Sequence, residues 1–137
     1  MIVVDTTVVA YLLIEGERTD EVRELWELDP DWRLPPLWRA ELLNVLATSH
    51  RAGILTPDQA RHVWRSAVEL LRNGEVEPGG VEVLELAIAR GITAYDAQFV
   101  CAARRMSVPL VSGDRRLCRA CPDSTVSLDD IADLHGR

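Results

Sequence analysis

Two short apolar runs in this chain each end at an acid. Residues 2–4 read IVV and meet Asp5, and residues 108–111 read VPLV and meet Asp114 after a Ser-Gly turn. Both runs have the look of short strands buried on two faces. Segments of helical period fill most of the sequence between them. Strands alternating with helices build a parallel sheet covered on both sides. The expected fold class is therefore α/β, a short central parallel sheet flanked by helices and rich in helix. Ligands of such sheets collect beyond the carboxyl ends of the strands, where Asp5 and Asp114 would both stand.

Local signals place the helices. Asp5 or Thr6 can cap a first helix through about residue 15, and Thr19 with Asp20 opens a second. "WRLPPLW" is held out of helix by Pro35 and Pro36, and the following helix runs to about Arg51 before Gly53. "TPDQA" is a strong start signal: Thr56 as cap, Pro57 as first helical residue, Gln59 as the return partner of a capping box. That helix is expected to end at Gly74. "VEVLELAIARG" and "ITAYDAQFVCAARRM" give two more, the second capped by Thr93. A short helix through Leu117, a strand near "TVSL" and a last helix from Asp129 complete the pattern. The one loop with Pro and paired Gly, "EVEPGG", is too short to join two domains, so residues 1–137 are expected to form a single domain.

Composition limits what such a domain could bind. All 15 cations are arginine, and 22 acids leave a net charge of −7. An acidic protein repels nucleic acid at long range, so a polyanion would need a local basic patch or bound metal ions. No apolar run approaches the roughly 20 residues that span a bilayer, and the apolar start carries Asp5 without a basic leader. A cytoplasmic protein with no membrane partner is expected. Cys118 and Cys121 have the spacing of a redox or zinc half-site, but no second pair exists and His135 alone lies near. They are taken as structural, along with Cys101. His50, His62 and His135 lack ligand spacing and are expected to be solvated or capping.

Four acids merit individual weighing. Asp5 and Asp114 suit turns and caps, and Asp96, third residue of the helix that Thr93 caps, suits a helix start. Glu41 lies on a helix carrying Leu37, Trp38, Ala40, Leu42, Leu43, Val45, Leu46 and Ala47, apolar groups that surround nearly the whole cylinder. A helix apolar all round is mostly buried, and a buried carboxylate demands a partner or a metal. Asn44, one turn on, could orient it; a salt bridge to arginine or a snorkelling side chain is the simpler account. One shared cause explains all four better than four separate ones. Clustered carboxylates repel, and hard oxygen donors without His or thiolate suit Mg²⁺ or Mn²⁺.

"VVDTTVV", "AELLNVL" and "AYDAQFVCAARRMSVPLVSGDRRL" resemble the successive motifs of PIN-domain ribonucleases. Within them the chain is most similar to VapC-type toxins of bacterial toxin–antitoxin pairs, along nearly its whole length. The resemblance implies a Mg²⁺- or Mn²⁺-dependent endoribonuclease. It also implies an RNA substrate, and a small cognate antitoxin with a DNA-binding half. It maps the catalytic and metal-holding acids onto Asp5, Glu41, Asp96 and Asp114, with Thr6 where a small hydroxyl residue is usual. Ser112 stands where threonine is frequent, which keeps the hydroxyl. Asp5, Glu41 and Asp96 are expected to hold one ion, and Asp114 to complete the site or hold a second. Thr6, Asn44, Ser112, Arg115 and Arg116 are expected to support the ligands or touch substrate.

Arg104, Arg105, Arg115, Arg116 and Arg119 crowd near Asp96 and Asp114, either to hold flanking phosphates or to form a solvated face. Tyr95 could stack on a base, though packing is its simpler role. Trp26, Trp32, Trp38 and Trp64 suggest a large apolar surface, divided between core and a homodimer or antitoxin interface. Two other classes compete. A non-catalytic interaction module would keep the fold with an unused acidic site. A haloacid-dehalogenase-like phosphatase would want a second Asp where Thr7 stands, and a lysine.

Overall fold

The computed structural model describes residues 1–131. Strand β1 (Ile2–Val4) is buried throughout. It lies inside a four-stranded sheet of order β2-β1-β3-β4, where β2 is Trp32–Arg33, β3 is Leu110–Ser112 and β4 is Thr125–Ser127. Every pairing is parallel. Continuous apolar strands are what a parallel sheet covered by helices requires. The register sets Val3 beside Leu110 and Val4 beside Val111. The chain therefore leaves β1 and β3 at the same edge, with Asp5 and the Ser112–Asp114 turn as neighbours.

Seven α-helices surround the sheet among the described residues: α1 (Thr6–Leu13), α2 (Thr19–Leu28), α3 (Trp38–Arg51), α4 (Pro57–Leu71), α5 (Gly80–Arg90), α6 (Ala94–Met106) and α7 (Arg115–Ala120). The expected capping box of α4 forms in both directions: Gln59 N–H donates to Thr56 Oγ1 at 3.1 Å, and Thr56 N–H donates to Gln59 Oε1 at 2.8 Å. Gly91 closes α5 in the left-handed conformation (φ 63°), which favours glycine. α6 packs on β1 with Ala97, Val100, Ala102 and Ala103 buried, small side chains that let a helix approach a sheet closely.

Four expectations are corrected. Strand β2 occupies part of the stretch read as an extended connection; two residues are too few to carry a periodic signal. Helix α3 buries Trp38, Leu42 and Leu46 but leaves Ala40, Leu43, Asn44 and Ala47 exposed, because among the described residues no element covers its outer face. The tryptophans belong to the core or pack on it, as a Trp26–Trp32 pair at 5.0 Å and a Trp38–Trp64 pair at 5.8 Å. The exposed apolar row lies on α5 instead, at Val81, Leu84 and Ile88. Finally, Leu128–Asp130 is a 3-10 turn where a last helix was expected to begin, and the rest of that segment, with His135, lies outside the described residues.

Candidate active site

Asp5 is the deepest of the four acids, 8% exposed at the end of β1. Its Oδ1 accepts the Val8 N–H at 3.1 Å and so caps α1. Its Oδ2 accepts the Ser112 hydroxyl at 2.5 Å. Burial pushes the carboxyl up to about 6, against the pull of hydrogen bonds from Ser112, Val8 and Gly113, and the nearby Asp114 pushes the same way.

Ser112 serves two acids. Fully buried on β3, its Oγ also accepts the Asp114 N–H at 2.9 Å. Asp114 Oδ1 in turn caps α7, accepting Arg116 N–H at 2.9 Å and Leu117 N–H at 3.3 Å. The turn between them leaves little room. A Cβ on Gly113 would lie 3.2 Å from Thr7 Cγ2, so the loop presses against α1.

Glu41 and Asp96 approach from the helical layer. Glu41 is half-buried, and its Oε1 accepts the Thr6 hydroxyl at 2.7 Å. The group that orients it is therefore Thr6; Asn44 is exposed and turned outward on α3. Burial raises the Glu41 carboxyl, Thr6 opposes, and the charge of Asp96 adds to the rise. Asp96 N–H donates to Thr93 Oγ1 at 3.0 Å, the expected helix start. Its carboxyl is raised by burial and by Asp114, and lowered by Thr93 and Arg116.

The four acids thus form one electrostatic chain: Glu41 with Asp96, Asp96 with Asp114, Asp114 with Asp5. The capping accounts of Asp5, Asp96 and Asp114 are right, and they coexist with clustering. Among the described residues no arginine forms an ion pair with any of the four. The salt bridge that would have explained Glu41 simply is absent from that set.

The donors facing one another are carboxylates backed by hydroxyls, a hard oxygen set that suits Mg²⁺ or Mn²⁺. As the side chains stand, no three His, Cys, Asp or Glu among the described residues converge closely enough to hold one ion between them. Asp5 is engaged by Val8 and Ser112, and Asp114 Oδ1 is engaged by its own helix.

The arginines divide. Arg115 is tied to Asp129 at 2.6 Å, and Asp129 also holds Arg18 at 2.7 Å. Arg104 pairs with Asp123, and Arg105 donates to the Glu77 carbonyl. Arg116 and Arg119 are exposed and enter no ion pair among the described residues. Tyr95 is 63% exposed. Cys118, taken from the sequence as structural, has its thiol beside Ser112 and Thr125 and within electrostatic reach of Asp5 and Asp114. Burial pushes the Cys118 and Cys121 thiols up, so both favour the protonated, unreactive form. The Cys118–Cys121 spacing gives no hint of that neighbourhood, which the fold of α7 creates.

A family model described as "PIN domain" matches residues 2–121. Ribonuclease VapC3 of Pyrobaculum aerophilum is 28% identical over 125 residues, covering 88% of this chain and 95% of that protein. Among solved structures, PAE2754 from Pyrobaculum aerophilum superposes with a TM-score of 0.73 at 22% identity, covering 99% of this chain and 97% of that one. FitAcB from Neisseria gonorrhoeae gives 0.69 at 17% identity, over 93% of this chain and 98% of that one. FitAB solved bound to a DNA fragment gives 0.70 at 17% identity, over 93% and 95%.

Proposed function

Since the chain belongs to the PIN-domain family, we propose that it is a Mg²⁺- or Mn²⁺-dependent endoribonuclease, the toxin of a type II toxin–antitoxin pair. The observation that carries this reading is the unpaired acidic chain Glu41–Asp96–Asp114–Asp5 in a protein with 15 arginines. Asp96 raises the proton affinity of Glu41, and Asp114 raises that of Asp5 and Asp96. Among the described residues none of the four is in an ion pair, and of the arginines only Arg116 opposes, at Asp96; such carboxylates are poised for a cation. A silent interaction module gains nothing from that repulsion. The name of the VapC3 relative supports ribonuclease activity. The FitAB assembly on DNA supports a partner with a DNA-binding half. The exposed row Val81, Leu84 and Ile88 supports self-association as a homodimer. The cytoplasm is the compartment where such a toxin would meet RNA.

Asp5, Glu41 and Asp96 would hold the ion, directly or through water, with Asp114 completing the site. A divalent ion supplies Lewis acidity toward a phosphoryl oxygen and lowers the pKa of a bound water. The chain's own part is positional. Ser112 fixes Asp5 and the Asp114 backbone together, and Thr6 fixes Glu41 from the first turn of α1. Such supports commonly matter nearly as much as the ligands.

The test is cleavage of defined single-stranded RNAs by the wild type and by Asp5→Asn, with EDTA, Mg²⁺ or Mn²⁺. Asn keeps the oxygen that caps α1. The wild type should cut only with metal, and Asp5→Asn should lose at least about 100-fold, the scale of several kcal/mol of lost charge stabilisation. Undiminished cleavage by Asp5→Asn, or cleavage by the wild type in EDTA, would refute the reading.

A further inference from the structure

Beside the acids lies a recess of about 270 Å³, between the α5–α6 turn and α7. Asp96 and Asp114 belong to its lining, and the rest of the lining differs in kind. Ile92, Leu117 and Ala120 give it an apolar wall, and Arg116 is the one cation in that lining. The volume is below the roughly 300–1,000 Å³ of sites for drug-sized molecules, which suits one small ring system.

Arg116 and Arg119 both stand outside the ion pairs of the described residues, and of the two only Arg116 lines the recess. Arg115 is spent on Asp129, and Arg104 on Asp123. Arg116 is exposed and carries no ion pair among the described residues, although two carboxylates share its recess. Its charge acts on Asp96 across the recess without closing into an ion pair. A guanidinium so placed beside an apolar wall matches a ligand with a flat, weakly polar body and an anionic group attached. A free phosphate would leave the wall unused, and an apolar peptide would leave the charge unused. A nucleotide uses both. In a chain of net charge −7, a local cation beside the proposed metal site lessens the repulsion that a polyanion meets.

We propose that this recess seats the base of one single-stranded RNA nucleotide adjoining the scissile bond, with Arg116 on its phosphate. The recess would then set affinity and a base preference at one position. The proposal rests on the nuclease reading above and assigns it a substrate subsite.

Binding of a fluorescent single-stranded RNA is measured across salt concentrations in Mg²⁺, in a Glu41→Gln background so that bound RNA stays intact. Glu41 lies outside the recess. Arg116→Ala should weaken binding about tenfold, as expected for a charge-assisted phosphate contact. It should also make the slope of log K against log salt shallower by about 0.7, one phosphate contact on a single strand. Ala120→Leu fills the recess but keeps the charge: binding and base preference should fall while the salt slope stays. Arg104→Ala, a cation outside the recess, should change neither. Wild-type affinity and slope in Arg116→Ala, or undisturbed binding in Ala120→Leu, would overturn the proposal. A DNA oligonucleotide of the same sequence bound equally well would overturn RNA as its ligand. If the otherwise unaltered protein cuts RNA but these variants bind normally, the subsite alone fails. If that protein neither cuts nor binds RNA, the nuclease reading fails with it.

Discussion

Two groups of acids in this molecule have opposite surroundings. Asp123 and Asp129 sit at the surface, each held by two arginines, and both carboxyls fall below the ordinary range: Asp123 mainly through backbone hydrogen bonding and Arg90, Asp129 mainly through Arg115. Asp5, Glu41 and Asp96 sit at the sheet edge among hydroxyls, backbone donors and one another, and all three rise, chiefly through burial. Among the described residues the first group takes four ion pairs with arginine and the second none, with Arg116 the one arginine opposing the rise of Asp96. Surface ion pairs contribute little to stability. An unneutralised acidic cluster costs stability and is retained where a cation can use it. On the proposed reading, the contrast separates charges that settle the surface from charges held for a cation.

The largest expected effect is on stability against pH in metal-free protein. Asp5 rises from 3.8 to about 6, so between those values the folded state holds a proton that the unfolded chain releases. Stability then falls as pH climbs through that window, by about 3 kcal/mol from Asp5 alone, and Glu41 and Asp96 act in the same sense. Asp123 and Asp129 act oppositely and elsewhere: their contribution is present above the ordinary carboxylate value and is lost only as pH falls below it. Urea unfolding in EDTA from about pH 3.5 to 7.5, which spans the window, checks this. Asp5→Asn should flatten most of the decline, and a flat wild-type profile would break the comparison.

Smaller is the effect of removing a support. Ser112→Ala deprives Asp5 of its hydroxyl donor and the Asp114 N–H of its acceptor. RNA cleavage should fall about 10- to 100-fold, the range for groups that orient metal ligands. Ser112→Thr keeps the hydroxyl and should restore most activity in the same assay; equal loss in both variants would point to packing instead. The smallest effect belongs to the surface group. Asp123→Asn should lower the melting temperature only slightly and leave cleavage unchanged, and a large loss of activity would erase the distinction between the groups.

How much of this was legible in the sequence follows from the range of each interaction. The Thr56–Gln59 capping box is local and could be read directly. Strands β1 and β3 showed themselves as apolar runs ending in acids. Strand β2 did not, because it exists through pairing with β1 and through Gly74, whose Cβ, if present, would lie 2.2 Å from the Trp32 carbonyl oxygen. Glu41 was found for a partly mistaken reason. Its helix is apolar by composition, yet one side of it is bare, and only the packed structure says which. The hydroxyl on Glu41 comes from Thr6, 35 residues away, while the nearer Asn44 points outward. Likewise Arg115 and Arg116 are adjacent and alike in sequence, and only Asp129 divides them.

Manganese binding to the isolated protein, followed by titration calorimetry, bears most directly on the claim that the four acids act as one cation site. The wild type should bind Mn²⁺. Asp5→Asn, Glu41→Gln and Asp96→Asn should each weaken it by at least about tenfold, the loss expected on disturbing a metal's ligand shell, and Asp123→Asn should bind as the wild type does. Wild-type protein that binds no Mn²⁺, or sheet-edge variants that bind it as tightly as the wild type, would contradict the account.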